Sequence, residues 1–441
     1  MKQENKFLQK DELGIANSLF QELFPINRSI AGSGLRKSLK ILSKFIKMDI
    51  NEIKSGKECF GWEVPNEWEV NEAYIKDRSG KKIVDFKNNN LHLISFSSPF
   101  NGSIKGNELK KNLFFLPDRP NSIPYRTSYY EENWGFCITK DIYDSISDYE
   151  NYEVLINTTK TKGFMSMGIA NLKSNVKDAP TYLISSYLCH PSLANDNLSG
   201  PILSILLWRR LAQMENLSCN WTLQISPETI GALAWLDQFK ETANNLEGVI
   251  VCTTCAGKGK LGYKDSFNSN SKVSRAVRLA SRDLNEDLIY YPFVPDGSDE
   301  RQFSSPGFRI PTISITKDKY YEYKEYHNSD DNLKFATPEN LLKSLEFTWQ
   351  VVKNLEYDCQ YERFNKFGET RLGIHGLYPN ISGHVNSDSI NEELKAFGWL
   401  DWIGDGSKSL MELSEEKNIK LEFLSNSLDK LVNKKIGKKI K

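Results

Sequence analysis

The chain has 441 residues, with 57 Lys and Arg against 57 Asp and Glu. This length predicts two to four folding units, because domains usually span roughly 100–200 residues. The balanced charge gives no reason to expect nucleic acid or an anionic membrane as a partner. We expect neither a secretion signal, because the first residues contain no apolar run, nor a membrane-spanning helix, because no apolar stretch is long enough. Its seven cysteines form no regular framework, so we expect a cytoplasmic protein.

Residues 12–47 have the apolar spacing of helices, whereas residues 48–145 are dense in aromatics and turn dipeptides. The second pattern is typical of a small antiparallel β domain. The large aromatics expected in its core are Trp62, Trp68, Tyr125 and Trp134.

Between residues 146 and 356, short apolar runs such as YLISSYL, TLQISP, GVIVC and IPTISIT alternate with helical stretches. This alternation predicts an α/β domain with a mixed, mostly parallel sheet flanked by helices. We assign residues 1–47 and 146–356 to this domain and residues 48–145 to a β insert. Ligands of such sheets bind outside the carboxyl ends of the strands, so the chemistry is expected in loops after the apolar runs.

The first such loop is HPSLANDNLSG, which carries His190 and Asp196 between an apolar run and a helical stretch. A histidine that closes a strand and an aspartate six residues later can converge on one cation, and zinc accepts both ligand types. The alternative is structural. His190 would then pack at a strand end, and Asp196 or Asn197 would cap the following helix.

Two further loops follow apolar runs. SPETIG carries Glu228, which is a candidate general base or metal ligand, or else a glutamate favoured by the helix dipole. YHNSDD carries His327 and Asp331, for which a surface histidine beside an acidic pair is the alternative. The polar loop GSDERQF, with Asp299, Glu300 and Arg301, is expected to supply carboxylates that orient the histidines.

The order of these motifs resembles the zinc aminopeptidase family, which includes bacterial leucyl aminopeptidases and animal glutaminyl cyclases. Longer stretches, among them FPINRSIAGSG, IPYRTSYY, SSYLCHPSLANDNLSGP and SPETIGALAWL, resemble a bacterial branch of aminopeptidase-like proteins linked with polysaccharide biosynthesis genes. The resemblance covers nearly the whole chain. It implies the aminopeptidase fold, with His190, Asp196 and His327 as metal ligands and Glu228 as base.

The resemblance also implies a second metal, but two of its ligands have no counterpart here. Only one glutamate stands where the family has a pair, because Glu228 is followed by Thr229. The segment VIVCTTCAG has no carboxylate where an aspartate ligand is expected. We therefore expect one Zn²⁺ per chain.

The signature NRSIAGSG contains Arg28, and IPYRTSYY contains Arg126. Each arginine is a candidate to bind an anionic part of the substrate, since guanidinium is a bidentate donor. The alternative is that they satisfy backbone carbonyls.

In the branch that the sequence resembles, the C-terminal part is similar to a winged helix. We assign residues 357–441 to a linker and such a module, in which FGWLDWIGDGSKSLMELSEEKNI reads as helix, wing-like turn and helix. Protein contact or homo-oligomerisation is its expected role. A nucleic-acid partner is not expected, because the chain carries no net positive charge.

The sequence thus predicts a zinc-dependent hydrolase that cleaves an amide bond in a small aminoacyl or peptidyl substrate, with a link to surface polysaccharide. Two alternatives stay open. One is an acyl-transferring or amide-forming enzyme acting on an amino sugar, because glutaminyl cyclases show that the fold need not hydrolyse. The other is a catalytically silent binding or assembly protein.

Overall fold

A computed structural model describes the chain from residue 2 to 377 and from 388 to 440. The helices are α1 (Lys2–Leu23), α2 (Ser33–Leu42), α3 (Gly106–Leu109), α4 (Lys140–Ser145), α5 (Ser199–Leu211), α6 (Ile230–Gln238), α7 (Lys240–Asn244), α8 (Lys272–Leu284), α9 (Glu300–Phe303), α10 (Pro338–Tyr357), α11 (Asp388–Trp402), α12 (Leu410–Lys417) and α13 (Leu421–Asn433). In this described part, none of the helices has the length and apolar character needed to cross a bilayer.

The strands are β1 (Asp49–Lys54), β2 (Glu58–Cys59), β3 (Trp62–Glu63), β4 (Glu67–Lys76), β5 (Lys82–Asp85), β6 (Phe100–Lys105), β7 (Leu113–Phe114), β8 (Phe136–Cys137), β9 (Asn151–Thr161), β10 (Phe164–Leu172), β11 (Thr181–Tyr187), β12 (Asn220–Ser226), β13 (Leu246–Cys252), β14 (Gly262–Lys264), β15 (Ile289–Tyr291), β16 (Thr312–Thr316), β17 (Gln360–Arg363), β18 (Asp405–Ser409) and β19 (Gly437–Ile440).

The largest sheet has eight strands in the order β1-β10-β12-β11-β13-β16-β14-β15. Its centre, β12-β11-β13-β16, is parallel, while β1, β10 and β14 pair antiparallel toward the edges. Parallel strands are joined by helical crossovers that cover both sheet faces, which explains their continuous apolar runs. The predicted fold class, a mixed and mostly parallel sheet flanked by helices, is confirmed.

Side chains of β11 show how the sheet divides two cores. Tyr182 and Ile184 point into a core built with α1, α2, α5, α8 and α10. Leu183 and Tyr187 point into a second core, which α6 shares with the smaller β sheet. This strand is buried on both faces, as a central strand of a two-sided sheet must be.

A second sheet has four antiparallel strands in the order β5-β4-β9-β6. Its strands do not follow the limits 48 and 145 that the sequence predicts for the insert. Strand β1 pairs with β10 at the edge of the large sheet, and β9, beyond residue 145, pairs with β4 and β6. We call residues 48–161 the β region. It continues directly into the large sheet through β9 and β10.

The aromatics of the β region do not all lie in its core. Trp68 and Tyr125 are buried and Trp134 is partly buried, but Trp62 is 42% exposed, with its ring edge against Tyr130. Trp62 lies in the two-residue strand β3, which forms a two-stranded sheet with β2. The expectation of a core position for Trp62 was therefore wrong.

The C-terminal part contains α11, α12 and α13 beside the small sheet β18-β17-β19. Its apolar side chains join the same core as α8 and α10. The stretch DGSKS, which lies between the two predicted helices, forms strand β18 and pairs with β17. Part of the predicted linker lies outside the described residues, and the winged-helix assignment stays a prediction.

Candidate metal centre

The parallel strands β12, β11, β13 and β16 end at one edge of the large sheet, and the loops that leave them carry the predicted site. His190 and Asp196 lie between β11 and α5, Glu228 between β12 and α6, and His327 in the loop after β16. Thr253 directly follows β13. This placement agrees with the rule that ligands bind beyond the carboxyl ends of parallel strands.

Three of these side chains converge. One ligand atom from each of His190, Asp196 and His327 lies within 4.8 Å of the others, and no other group in residues 2–377 and 388–440 is comparable. Asp196 Oδ2 is 3.0 Å from His327 Nε2, yet this buried oxygen has no donor with hydrogen-bond geometry. Two ligand atoms of tetrahedral zinc are about 3.3 Å apart, given bonds of about 2.0–2.1 Å. An orphaned carboxylate oxygen aimed at an imidazole nitrogen fits a shared zinc ion.

The protonation of this group suits a metal. Burial lowers the pKa of the His190 imidazole to about 4, so the ring is neutral at physiological pH. Burial alone would favour a protonated Asp196, but the neighbouring His190 and His327 outweigh it and lower the pKa of the carboxyl to about 2. A neutral imidazole and an ionised carboxylate are the forms that coordinate zinc.

The loop that carries Asp196 is held by its neighbours in sequence and by Asp331. The Asp331 carboxylate accepts the Asn195 and Asp196 N–H groups at 2.6 and 2.8 Å. Asn197 Oδ1 accepts the Gly200 N–H in the first turn of α5, at 3.0 Å. Asn197 therefore takes the capping role, which leaves the Asp196 side chain available to the histidines.

The other carboxylate oxygen of Asp196 accepts a hydrogen bond from a tyrosine hydroxyl. Tyr187 donates to Asp196 Oδ1 at 2.6 Å, and its hydroxyl is 2.9 Å from Thr253 Oγ1. Thr253 belongs to the segment in which the resemblance led us to look for an aspartate ligand. The Tyr187 hydroxyl therefore uses one acceptor position of Asp196 Oδ1, and Thr253 offers no carboxylate to a second ion.

Glu228 lies beside the three ligands. Its Oε2 is 4.0 Å from His190 Nε2, and Ser298 Oγ donates to its Oε1 at 2.8 Å. Loss of water around the carboxyl, together with the nearby Asp299 and Asp196 carboxylates, raises the pKa of Glu228 well above its ordinary value. A raised pKa makes the Glu228 carboxylate a stronger proton acceptor than an ordinary glutamate.

Asp299 supports the turn after Glu228 rather than the histidines. Its Oδ1 accepts the Thr229 N–H at 2.7 Å, and Thr229 has a φ of 62°. Left-handed backbone is unfavourable for a β-branched residue and needs such support. The expectation that this loop orients the histidines was wrong, because its carboxylates contact the Glu228 turn and Lys264 instead.

Glu300, next to Asp299, forms a buried ion pair with Lys264. Lys264 Nζ donates to Glu300 Oε1 at 2.8 Å and to the Asp296 carbonyl at 2.6 Å, and the Tyr320 hydroxyl donates to the same Glu300 oxygen at 2.9 Å. The Lys264 and Glu300 side chains are only 2% and 1% exposed. This pair anchors the loop that holds Glu228.

Removing one partner of this pair should destabilise the protein strongly. We expect Lys264→Met to lower the free energy of unfolding by about 3–5 kcal/mol, because Glu300 would be left as an uncompensated buried charge. The double variant Lys264→Met/Glu300→Gln should recover part of that loss. Urea unfolding followed by tryptophan fluorescence measures both. A double variant as unstable as the sum of its single variants would contradict the pairing.

Arg28 supports His190 through the backbone. The guanidinium is fully buried and donates to the His190 carbonyl from Nε and Nη2 at 3.1 and 2.8 Å, and to the Leu23 carbonyl from Nη1. Gly34 allows this turn, since a Cβ there would lie 1.7 Å from the Asn27 carbonyl oxygen. Arg28 therefore satisfies backbone carbonyls, and it is not placed to bind a substrate anion.

Arg28→Ala should cost about 2–3 kcal/mol of unfolding free energy, because the His190 carbonyl would be buried without a donor. Arg126→Ala is the matched control, since that side chain is exposed, and it should change stability by less than about 0.5 kcal/mol. Equal losses in the two variants, measured by urea unfolding, would show that the Arg28 contacts do not matter.

Substrate binding by the two remaining arginines, Arg126 and Arg301, stays a prediction. Arg126 and Arg301 both have exposed side chains, although each follows a residue of the site. Arg126 follows Tyr125, whose ring centroid is 4.9 Å from that of His190 and 5.1 Å from that of His327. Sequence reasoning placed Tyr125 only in the core, and an aromatic in a β insert gives no signal of this contact.

His327 itself has a strained backbone and a stacked ring. Its φ of 54° lies in the left-handed region, which costs about 1–2 kcal/mol for a residue with a side chain. The Tyr326 ring stacks on the imidazole, with centroids 3.9 Å apart and planes at 13°. Neighbouring residues must therefore hold the histidine in place.

The fold and these ligands define an aminopeptidase-like α/β protein with a candidate metal centre. The Bacillus subtilis zinc aminopeptidase structure superposes with a TM-score of 0.58 over 78% of this chain and 94% of that one, at 14% identity, so the likeness concerns the fold. A crystal structure from Clostridium acetobutylicum, provisionally named a peptidase, matches 100% of both chains at 32% identity and a TM-score of 0.89.

The chain belongs to the family described as Domain of unknown function (DUF4910), whose model matches residues 17–358. A curated Clostridium acetobutylicum relative is 34% identical over 433 residues, covering 98% of each chain. Its name, also provisional, is polysaccharide biosynthesis protein with aminopeptidase-like domain. The resemblance stated from the motifs is thereby confirmed.

Proposed function

We propose that this protein is a zinc-dependent hydrolase that cleaves an amide bond in a small aminoacyl or peptidyl substrate. The observation that carries the proposal is the convergence of His190, Asp196 and His327, with an orphaned Asp196 oxygen between them. Glu228 lies at their side, with one oxygen held by Ser298 and the other 4.0 Å from His190 Nε2. A binding protein without catalysis would have no need of a base in this position.

Zinc held by these residues would supply Lewis-acid polarisation and lower the pKa of water to about 7. Glu228 Oε2 would take the proton of the attacking water and return it to the nitrogen of the leaving amine. Ser298 keeps the carboxyl oriented for both transfers through its bond to Oε1. Tyr187 would hold Asp196 in one orientation throughout, because it is itself 2.9 Å from Thr253 Oγ1.

A link to surface polysaccharide belongs to the same proposal, on the ground of the relative's name. An amino sugar carrying an aminoacyl or acyl group is a substrate that joins this chemistry to such a pathway. Formation of that amide from the free acid would be the reverse of this hydrolysis, whereas acyl transfer would break the bond between the acyl group and its donor and release the donor's leaving group. Product analysis therefore has to follow both.

The test is a screen of zinc-loaded protein against aminoacyl anilides, dipeptides and N-acylated amino sugars, with products identified by mass spectrometry. Glu228→Gln is the control that keeps the fold and removes the base. We expect release of a free amine by the wild type and none by the variant. Joining of an amine and an acyl donor would establish the transferase alternative. No conversion of any substrate by zinc-loaded protein would contradict the hydrolase and favour a binding role.

A further inference from the structure

The loop that carries His327 is paired with a segment of the β region that lies far from it in sequence. The Tyr125 N–H donates to the His327 carbonyl at 2.8 Å, and the Ser329 N–H donates to the Ile123 carbonyl, also at 2.8 Å. The Ile123 N–H donates to Ser329 Oγ at 2.9 Å, across 206 positions of the chain. An isolated antiparallel bridge lies between these bonds. The backbone is therefore fixed at His327 and two residues beyond it.

A charged contact extends this pairing. Arg119 donates to Asp330 Oδ2 from Nε at 3.1 Å and from Nη2 at 2.5 Å, and Ser122 Oγ donates to the same oxygen at 2.6 Å. Arg119 Nη1 donates to the Lys324 carbonyl at 2.7 Å. One guanidinium therefore holds the loop at a point before His327 and at a point after it.

The opposite side of the loop is tied to the other ligand. Asp331 accepts the Asp196 N–H at 2.8 Å, so a hydrogen bond links the two loops that carry Asp196 and His327. His327 is left-handed at its α-carbon, with a φ of 54°. Such a residue keeps its conformation only where the surrounding contacts determine it. The segment 119–125 and Asp331 supply these contacts from two directions.

We propose that segment 119–125 is a positioning element for the metal centre. Arg119 and Ser122 touch neither His190, Asp196 nor His327 through their side chains, but they set the direction in which His327 Nε2 points. The β region then completes the site that the large sheet begins. This inference rests on the proposed function only for the presence of zinc. It predicts a change in zinc affinity and makes no statement about turnover.

The contact is suited to a selective test. The Arg119 and Asp330 side chains are 27% and 37% exposed, and ion pairs of this exposure contribute little to folding. Arg119→Met should therefore stay folded. Its zinc affinity should nevertheless fall by about 10-fold or more, which is the usual effect of removing a group that orients a ligand.

The experiment measures zinc affinity by competition with a chromophoric chelator and records the visible absorption of the Co²⁺-substituted protein. Lys160→Met is the matched control, because it removes an ion pair with Glu132 in the same β region. The Lys160 side chain is 18% exposed. We expect Arg119→Met to lose affinity and shift the Co²⁺ bands, Arg119→Lys to keep most of the affinity, and Lys160→Met to match the wild type. Unchanged affinity and bands in Arg119→Met would overturn the proposal.

A second measurement keeps the inference separate from the proposed function. Amide hydrogen exchange over residues 323–332 should be faster in Arg119→Met than in the wild type, with or without zinc, and unchanged exchange would overturn the proposal. Ser122→Ala, which removes one hydrogen bond, serves the same purpose if Arg119→Met does not fold. A wild type that binds zinc but converts no substrate would count against the hydrolase alone.

Discussion

Asp196→Ala is expected to abolish stoichiometric zinc binding while the protein stays folded. The carboxylate is the one anionic ligand of the proposed centre, and its buried Oδ2 lies 3.0 Å from His327 Nε2. Without it, two neutral imidazoles would hold a dication in a buried pocket, where charge is poorly solvated. We expect the zinc affinity to fall by more than about 100-fold. Removing a group that only hydrogen-bonds to a metal ligand lowers affinity by about 10–100-fold.

Two comparisons make this result interpretable. Asp196→Asn keeps an oxygen that can accept from Tyr187, so it should preserve the loop while it removes the charge. Asp237→Ala removes a surface carboxylate paired with Lys57 and should leave zinc binding unchanged. Zinc content by plasma mass spectrometry, with circular dichroism as the check of folding, measures all three. Full zinc occupancy in Asp196→Ala would exclude this residue as a ligand.

Glu228→Gln should separate metal binding from catalysis. We expect the variant to keep its zinc and to lose turnover by about 10²–10⁴-fold, the range for removal of a general base. Stability should not fall, because glutamine removes a carboxyl whose pKa is raised by burial and by Asp299 and Asp196. The same preparation can be assayed for zinc, melting temperature and kcat/KM.

The outcome of this substitution also distinguishes two roles for the carboxyl. The group of mutually close ligand atoms contains His190, Asp196 and His327 but not Glu228, although Glu228 Oε2 is 4.0 Å from His190 Nε2. If Glu228→Gln lost its zinc along with its activity, Glu228 would be a ligand and the base would lie elsewhere. Retained zinc with wild-type turnover would remove Glu228 from the mechanism.

The location of the site could be predicted from sequence because it depends on local patterns. Apolar runs identify strands, and the residues after them necessarily gather at one edge of a parallel sheet. This rule places the loops of His190, Asp196 and His327 at one edge, and the resemblance to zinc aminopeptidases implies that these three residues are metal ligands. It also indicates which polar loops are candidates, including the one that carries Glu228.

The supports of the site could not be predicted in the same way, because they depend on contacts between distant segments. From the sequence, Arg28 could bind either a substrate anion or backbone carbonyls. Only its contacts with the His190 and Leu23 carbonyls show that it binds backbone carbonyls. Asp299 was expected beside the histidines, but a turn with positive φ at Thr229 brings a backbone N–H to it first.

Tyr187 illustrates the same limit in the strand preceding the site. Within the apolar run YLISSYL it reads as a core residue, and it is buried. The role of its hydroxyl can be recognised only from the contacts in the fold, where Thr253, which directly follows the neighbouring strand β13, is 2.9 Å away and Asp196 is 2.6 Å away. A polar atom on a buried side chain was the available signal, since such hydroxyls usually have partners.

The central claim is a mononuclear zinc centre made by His190, Asp196 and His327. Its most direct test is the metal content of the protein purified without chelators, determined by plasma mass spectrometry against protein concentration. We expect about one zinc per chain, because four-coordinate sites with three protein ligands bind a single ion. Protein without zinc that takes up none on addition, or protein with two zinc ions per chain, would contradict it.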